Sequence, residues 1–149
     1  MVSLRQAEED DIPILLKFQL NLAQETEDLK LDRAVLEQGL KALFADPSKG
    51  RYYVATEGEE IVGCYMITFT WSPLDNGTVW WLQSVYVKQS HRKNGVFRKM
   101  YDSLKSIVEQ DASVPGLRLY VDLTNESAQK VYSSVGMAGG RYKLFEYLK

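Results

Sequence analysis

The sequence holds one cysteine, Cys64, and one histidine, His91. A single thiol forms no internal disulfide, which points to a reducing, cytosolic setting. One imidazole and one thiol together exclude a His/Cys zinc site, and nothing in the chain calls for a metal. No Ser-His-Asp or Cys-His nucleophile arrangement stands out, because His91 sits in a basic loop. No apolar run approaches membrane-spanning length, and the start, Met1-Val2-Ser3-Leu4-Arg5-Gln6, lacks a signal-peptide pattern. Positive charge is not in excess either: the formal net charge is −2. That speaks against a nucleic-acid binder, which needs an extended basic face. Repeats, linkers and low-complexity tracts are lacking too. The 149 residues therefore read as one domain, 1–149, large enough for a proper core.

What is present is a regular succession of patterned segments. Val2 to Ala7 alternates apolar and polar residues, a short strand. Asp10 and Asp11 offer N-caps, Pro13 suits a first helical turn, and Ile12, Leu15, Leu16, Leu22 and Ala23 share a helical face. Gln24 to Asp28 reads as an acidic loop. Asp32 can cap a second helix carrying Val35, Leu36, Leu40, Leu43 and Phe44, which Asp46-Pro47-Ser48-Lys49-Gly50 stops. Arg51 to Thr56 and Ile61 to Thr70 read as strands joined by a tight turn at Glu57-Gly58-Glu59-Glu60. Asn76-Gly77 signals a further hairpin into an aromatic, β-branched strand ending at Val87. A helix from Val96 to about Gln110, a strand over Leu117 to Val121, and a helix capped by Thr124 or Asn125 and ended by Gly136 follow. Met137 to Leu148 is expected to supply one or two closing strands. The order β-α-α-β-β-β-α-β-α-β predicts an α/β (α+β) fold with a mixed central sheet and flanking helices.

The junction between the aromatic strand and the following helix carries the chemistry. There the basic loop His91-Arg92-Lys93-Asn94-Gly95 opens the helix at Val96. A helix start presents unpaired amides and positive potential, which suits a phosphate. The loop is neither a Walker P-loop nor a G-x-G-x-x-G turn. Arg92-Lys93-Asn94-Gly95-Val96-Phe97 resembles the Arg/Gln-x-x-Gly-x-Gly/Ala signature of the GNAT family of N-acetyltransferases, with Phe97 standing where a small residue is usual. Leu119 to Met137 is similar to the second cofactor segment of that family, Asn-x-x-Ala-x-x-x-Tyr ahead of Gly-Met, with Asn125 and Tyr132 about two helical turns apart. The predicted element order matches that fold across nearly the whole chain.

The resemblance implies splayed strands that form a cleft for acetyl-CoA, with direct transfer of the acetyl group to a primary amine. It places the cofactor against Val85, Tyr86 and Val87, the loop residues Arg92, Lys93, Asn94, Gly95, Val96, Phe97 and Arg98, and Asn125. The Val87 N–H would polarise the acetyl carbonyl, and the Tyr132 hydroxyl would protonate the departing thiolate. A phenol, protonated at neutral pH, suits that step. Many relatives carry a glutamate as base in the strand before the loop. Here that strand has Gln83, Ser84 and Tyr86, so the base is a water relay, an acid elsewhere, or unnecessary because the amine arrives neutral. The acceptor is expected to be a small cationic amine or a protein or peptide amine, met by Glu25, Glu27, Asp28 and Gln83. Trp71, Trp80 and Trp81 are candidates for an acceptor pocket or for core packing, and Cys64 reads as a small buried hydrophobe. A non-catalytic acyl-CoA sensor is the rival reading. The aromatic content and the expected strands from Arg141 to Leu148 allow a homodimer.

Overall fold

The computed structural model describes residues 1–149. Val2–Gln6 forms β1, and a 3-10 turn at Glu9–Asp11 leads into α1, Ile12–Glu27. Asp32 caps α2, Arg33–Ala45, its carboxylate accepting from the amides of Ala34 and Val35. β2 (Arg51–Glu57), β3 (Glu60–Ser72) and β4 (Gly77–Val87) form an antiparallel meander, with β1 paired antiparallel to β2. α3 (Val96–Gln110) crosses over to β5 (Leu117–Leu119), which lies parallel to β4, and α4 (Glu126–Ser134) follows. The result is a mixed five-stranded sheet, ordered β1-β2-β3-β4-β5, with helices packed on it.

Alternation along the strands divides the core in two. Tyr53, Ala55, Tyr65, Ile67, Trp80 and Leu82 turn to one face, where Val96, Met100 and Leu104 of α3 cover them. Tyr52, Val54, Cys64 and Tyr86 turn to the other, against Leu15, Leu16 and Phe18 of α1 and Leu40 of α2. Trp80 and Leu82 share sequence parity with Tyr86, yet they face opposite cores. The pairing explains this: Cys64 sits opposite Tyr86 but Met66 opposite Gln83, so β4 carries one extra residue. That residue is Ser84, at φ 52. A β-bulge with a non-glycine residue in the left-handed region reverses the side-chain parity of the strand and sharpens its twist.

Three boundaries differ from the sequence expectation. α1 runs through Gln24, Glu25 and Thr26 to Glu27, ending at Asp28 in left-handed geometry (φ 49). Gln and Glu are good helix formers, and Thr26 returns its hydroxyl to the Leu22 carbonyl at 2.7 Å. β5 stops at Leu119 instead of Val121. The closing strands do not form: past α4 the chain has no regular structure.

The entry to α1 is held by charge. Arg5 clamps Asp11 through two hydrogen bonds, 2.8 and 3.0 Å, and the Glu8 amide donates to the same carboxylate at 2.7 Å. The Arg5 guanidinium holds the Asp11 carboxyl below its usual range despite burial. A depressed folded-state pKa gives stability that is present above the unfolded value of about 3.9 and lost as pH falls through the folded one. Asp11→Asn is therefore expected to cost about 1–3 kcal/mol at neutral pH, because it weakens a partly buried charged contact. Thermal melts should show the gap closing as the pH is lowered past the carboxylate range. A gap independent of pH would assign the effect to packing instead.

Candidate functional site

The β4–β5 ladder is short. It pairs Trp80 with Leu117, Trp81 with Arg118 and Leu82 with Leu119, and then the strands part just before the Ser84 bulge. β4 continues to Val87 with β3 alone beside it. The Lys88 amide bonds the Val62 carbonyl at 2.8 Å, so the main-chain groups of Val87, one residue earlier, face the open edge. A cavity of ≈ 540 Å³ occupies the gap. One wall is Val85, Tyr86 and Val87, the opposite wall is Thr124, Asn125 and Ser127, and Leu22, Glu25 and Thr26 of α1 close the side. Arg92 completes the lining.

The loop beyond β4 makes a 3-10 turn at Gln89–His91 and passes Lys93 (φ 64) and Gly95 (φ 79) before entering α3. The first bond of α3 runs from the Lys99 amide to the Gly95 carbonyl, 3.0 Å. The amides of Val96, Phe97 and Arg98 therefore lack partners within the helix. A Cβ at Gly95 would meet no protein atom within 4 Å, so the left-handed backbone, and not crowding, favours glycine there. Lys93, Asn94, Arg98 and Lys99 are exposed, and Val96 is buried under the helix.

Arg92 ties three elements together. Its Nε donates to the Val87 carbonyl at 2.8 Å, and its two terminal nitrogens reach the Glu25 carboxylate at 2.8 and 3.2 Å. The guanidinium also lies 5.3 Å from the centre of the Tyr86 ring. The hydrogen bonds from Arg92 hold the Glu25 carboxyl below its ordinary range, and burial lifts the Tyr86 phenol above its own. Arg92, expected among the cofactor-binding loop residues, has its charge matched here by Glu25. Glu27 and Asp28 lie outside the cavity lining, and Asp28 accepts from Gln24 Nε2 at 2.6 Å. Gln83 is likewise outside, donating to Thr68 Oγ1 at 2.6 Å.

Asn125 caps α4, its side-chain oxygen accepting from the Ala128 amide at 3.1 Å, while the residue also lines the cavity. Further along, the half-buried Tyr132 meets Phe97 edge-on, ring centres 5.8 Å apart, and Phe97 stacks on Tyr101 at 6.2 Å. The bulky Phe97 thus turns inward from the loop and backs Tyr132. Burial raises the phenol pKa of Tyr132. Tyr132 is not among the cavity-lining residues. Next to Val85 and Phe97, the buried Tyr65 hydroxyl has no hydrogen-bond partner.

The structure therefore gathers Val85, Tyr86, Val87, Arg92, Asn125 and Glu25 around one cavity. It adds Leu22, Thr26, Thr124 and Ser127, which carry no signal of their own beyond flanking Asn125 or continuing the α1 face. The bulge did leave a trace: apolar residues at Trp80 and Leu82 resume at Val85 and Val87, one step out of phase. The tryptophans do not form a cage. Trp80 is buried edge-on against Phe69, Trp81 stacks on Tyr120, and Trp71 is exposed. Cys64 is buried, its thiol pushed up to about 12 by burial and set 3.7 Å from the Ser84 carbonyl.

The sequence profile of the acetyltransferase (GNAT) family matches residues 16–137. Among solved structures, a protein of Clostridium difficile 630 described as a possible acetyltransferase is 39% identical. The match covers 100% of this chain and 98% of that one, with a TM-score of 0.95. A ribosomal-protein-alanine N-acetyltransferase from Brucella melitensis biovar Abortus 2308, 18% identical, shares the fold over 100% of both chains at a TM-score of 0.81. So does a predicted acetyltransferase with acetyl-CoA from Clostridium acetobutylicum, 19% identical, over 99% of this chain and 96% of that one at 0.79. None of the curated proteins compared with the chain matches it.

Proposed function

The chain belongs to the GNAT family of acetyltransferases, and from that premise we propose that it is an N-acetyltransferase moving the acetyl group of acetyl-CoA directly to a primary amine. One observation carries the reading: β4 loses its neighbour at the Ser84 bulge, beside a cavity, and the following loop ends on free helix amides. These residues fit the cofactor. The open edge at Val85 and Val87 suits an extended amide-bearing arm, and the Gly95 backbone, with open space around it, suits a diphosphate. Bound acetyl-CoA would supply a thioester activated towards amines.

The residues then divide the work. Main-chain groups of Val85 and Val87 hold the pantetheine arm beside Tyr86, and the Val87 N–H polarises the acetyl carbonyl. The amides of Val96, Phe97 and Arg98, with Lys93, Asn94 and the α3 dipole, hold the pyrophosphate. Arg92 acts through its bond to Val87, fixing the end of the strand against the loop. Asn125 offers its amide nitrogen from the opposite wall. Tyr132 keeps its proton at neutral pH and delivers it to the departing sulfur. Glu25 is the one carboxylate on the cavity wall, and its pairing with Arg92 makes it a weak base. It orients a cationic amine in preference to deprotonating it. A single buried thiol suits work in the cytoplasm.

Release of free CoA thiol from acetyl-CoA tests the reaction when it is offered peptide N-termini, lysine peptides, polyamines and aminoglycosides. Ribosomal-protein peptides with N-terminal alanine belong in that set, given the Brucella structure. Release with one class establishes the enzyme. Binding of acetyl-CoA without release in any class would favour a sensor of the same fold.

The acceptor side gives a sharper expectation. A charge pair about 5 Å apart is worth roughly 1–3 kcal/mol between water-like and surface-like dielectric. Glu25→Gln is expected to raise KM for a polycationic acceptor by about tenfold, and to leave KM for an amine with an uncharged tail within about twofold. Glu27→Gln, outside the lining, should change neither. Equal effects on both amines would leave Glu25 as a brace for Arg92 alone.

A further inference from the structure

Before the strands part, the sheet carries a cation on the face away from α3. Trp80 and Leu82 of β4 and Leu117 and Leu119 of β5 all pack towards α3. Strand alternation therefore turns Trp81, Gln83 and Arg118 to the opposite face, where Tyr120 stacks on Trp81 with ring centres 4.5 Å apart. α1 and α2 cover that face over β2, β3 and the far end of β4, where Tyr86 lies. They leave Trp81 half-buried and Arg118 and Tyr120 exposed. Trp81 and Arg118 are a cross-strand pair, one step before the last pair of the β4–β5 ladder. The cavity begins just beyond it, at Val85.

Arg118 is held in place but not matched. Its guanidinium lies 6.0 Å from the centre of the Trp81 ring and 5.6 Å from that of Tyr142. Ring contacts of this kind fix a guanidinium without occupying its N–H donors. The other arginines of the sheet are engaged: Arg5 clamps Asp11, and Arg51 donates to the Tyr53 hydroxyl at 3.1 Å. Arg118 alone among them has no hydrogen bond and no carboxylate partner. A planar fork of donors on an aromatic floor is complementary to a carboxylate.

On the premise that acetyl transfer takes place in the β4–β5 gap, we propose that Arg118 and Trp81 select the acceptor: a primary amine that carries a carboxylate on the order of 10 Å from its reactive nitrogen. The span follows from the strand. From Trp81 to Val85, β4 advances four residues at about 3.3 Å each, shortened by the Ser84 bulge. The ammonium end meets Glu25 on the cavity wall, and the carboxylate end meets Arg118, with the body of the acceptor passing over Gln83. Opposite charges at the two ends fix the direction of approach. The nitrogen forms the amide bond, the C–S bond of the thioester breaks, the sulfur takes a proton, and the carboxylate is unchanged. A diamine of the same length shares the contact with Glu25 but sets its second cation against Arg118.

Thiol release from acetyl-CoA with octylamine, 1,8-diaminooctane and 8-aminooctanoate tests the proposal, since the three share a chain length and differ only at the far end. The wild-type chain is expected to prefer 8-aminooctanoate to octylamine by about tenfold in kcat/KM, the weight of one charge pair at surface-like dielectric. Arg118→Glu is expected to reverse the order and place the diamine first. Because Arg118 is exposed, its melting curve should match that of the wild type. 4-Aminobutanoate, too short to reach Arg118, should show no advantage over butylamine. The tripeptide Ala-Gly-Gly against its C-terminal amide separates the sources: an equal preference for the free acid points to peptide acceptors, and a preference confined to 8-aminooctanoate points to small amino acids. Release with octylamine and no preference for the carboxylate overturns the proposal and leaves the acetyltransferase reading standing. No release with any of these amines overturns both. An unchanged order in Arg118→Glu also overturns it, and if that variant instead loses a dimer that the wild type forms, the face belongs to a second copy.

Discussion

Replacing Tyr132 with phenylalanine is expected to lower kcat by roughly 10²- to 10⁴-fold while leaving acetyl-CoA affinity within about twofold, the pattern of a lost proton donor. The substitution keeps the ring that meets Phe97 edge-on and removes one oxygen. Burial raises the phenol pKa of Tyr132, so the proton is retained across the whole neutral range. The sign matters for the pH profile. A donor with a raised pKa loses activity only on the alkaline side, beyond the ordinary phenol value of about 10. Steady-state kinetics with the acceptor found by the thiol-release screen, checked by a single-turnover measurement of the chemical step, give the comparison. An unaltered single-turnover rate would remove Tyr132 from the reaction and return the hydroxyl to a structural role.

Gly95→Glu is expected to weaken acetyl-CoA binding by about a hundredfold or more, because a carboxylate near a diphosphate at surface-like dielectric costs several kcal/mol. The fold should survive. A side chain at this position meets no protein atom, so the cost to stability is the left-handed backbone alone, about 1–2 kcal/mol. Gly95→Asn separates the two effects, since asparagine tolerates that backbone and carries no charge. Calorimetric titration should show an affinity for Gly95→Asn well above that for Gly95→Glu. Wild-type affinity in Gly95→Glu, with a normal melting curve, would move the pyrophosphate away from this loop.

Much of the scaffold is legible in the sequence. α3 spans the predicted Val96–Gln110, because its apolar spacing is regular and Gly95 marks its start. Asp32 and Asn125 cap their helices as their positions suggested, and the turns at Gly58 and Asn76-Gly77 join strands where glycine and asparagine relieve positive φ. These are local features, decided by neighbours in sequence. The pairing of Glu25 with Arg92 was not readable, because two surface charges far apart in sequence announce no partner, and because Glu25 was placed in a loop that is helix. The Ser84 bulge, whose one sequence trace is the phase shift between Leu82 and Val85, was missed for a different reason. Its effect on the site comes from a shift of register between β3 and β4, and a serine in a strand gives no warning of positive φ. The missing closing strand has a third cause. Arg141 to Leu148 has strand composition, but a strand also needs a partner edge, and propensity alone does not secure one.

The assignment of the β4–β5 gap as the acetyl-CoA site is tested most directly by amide NMR on the wild-type chain titrated with acetyl-CoA. Shifts are expected at Val85 and Val87, at Gly95, Val96, Phe97 and Arg98, and at Asn125, with Val54 and Ile67 in the core unmoved. Titration with a nucleotide diphosphate lacking the pantetheine arm should perturb the loop amides but not Val85 and Val87. Shifts confined to the α1–α2 face, or no saturable shifts along β4 and the start of α3, would contradict the account.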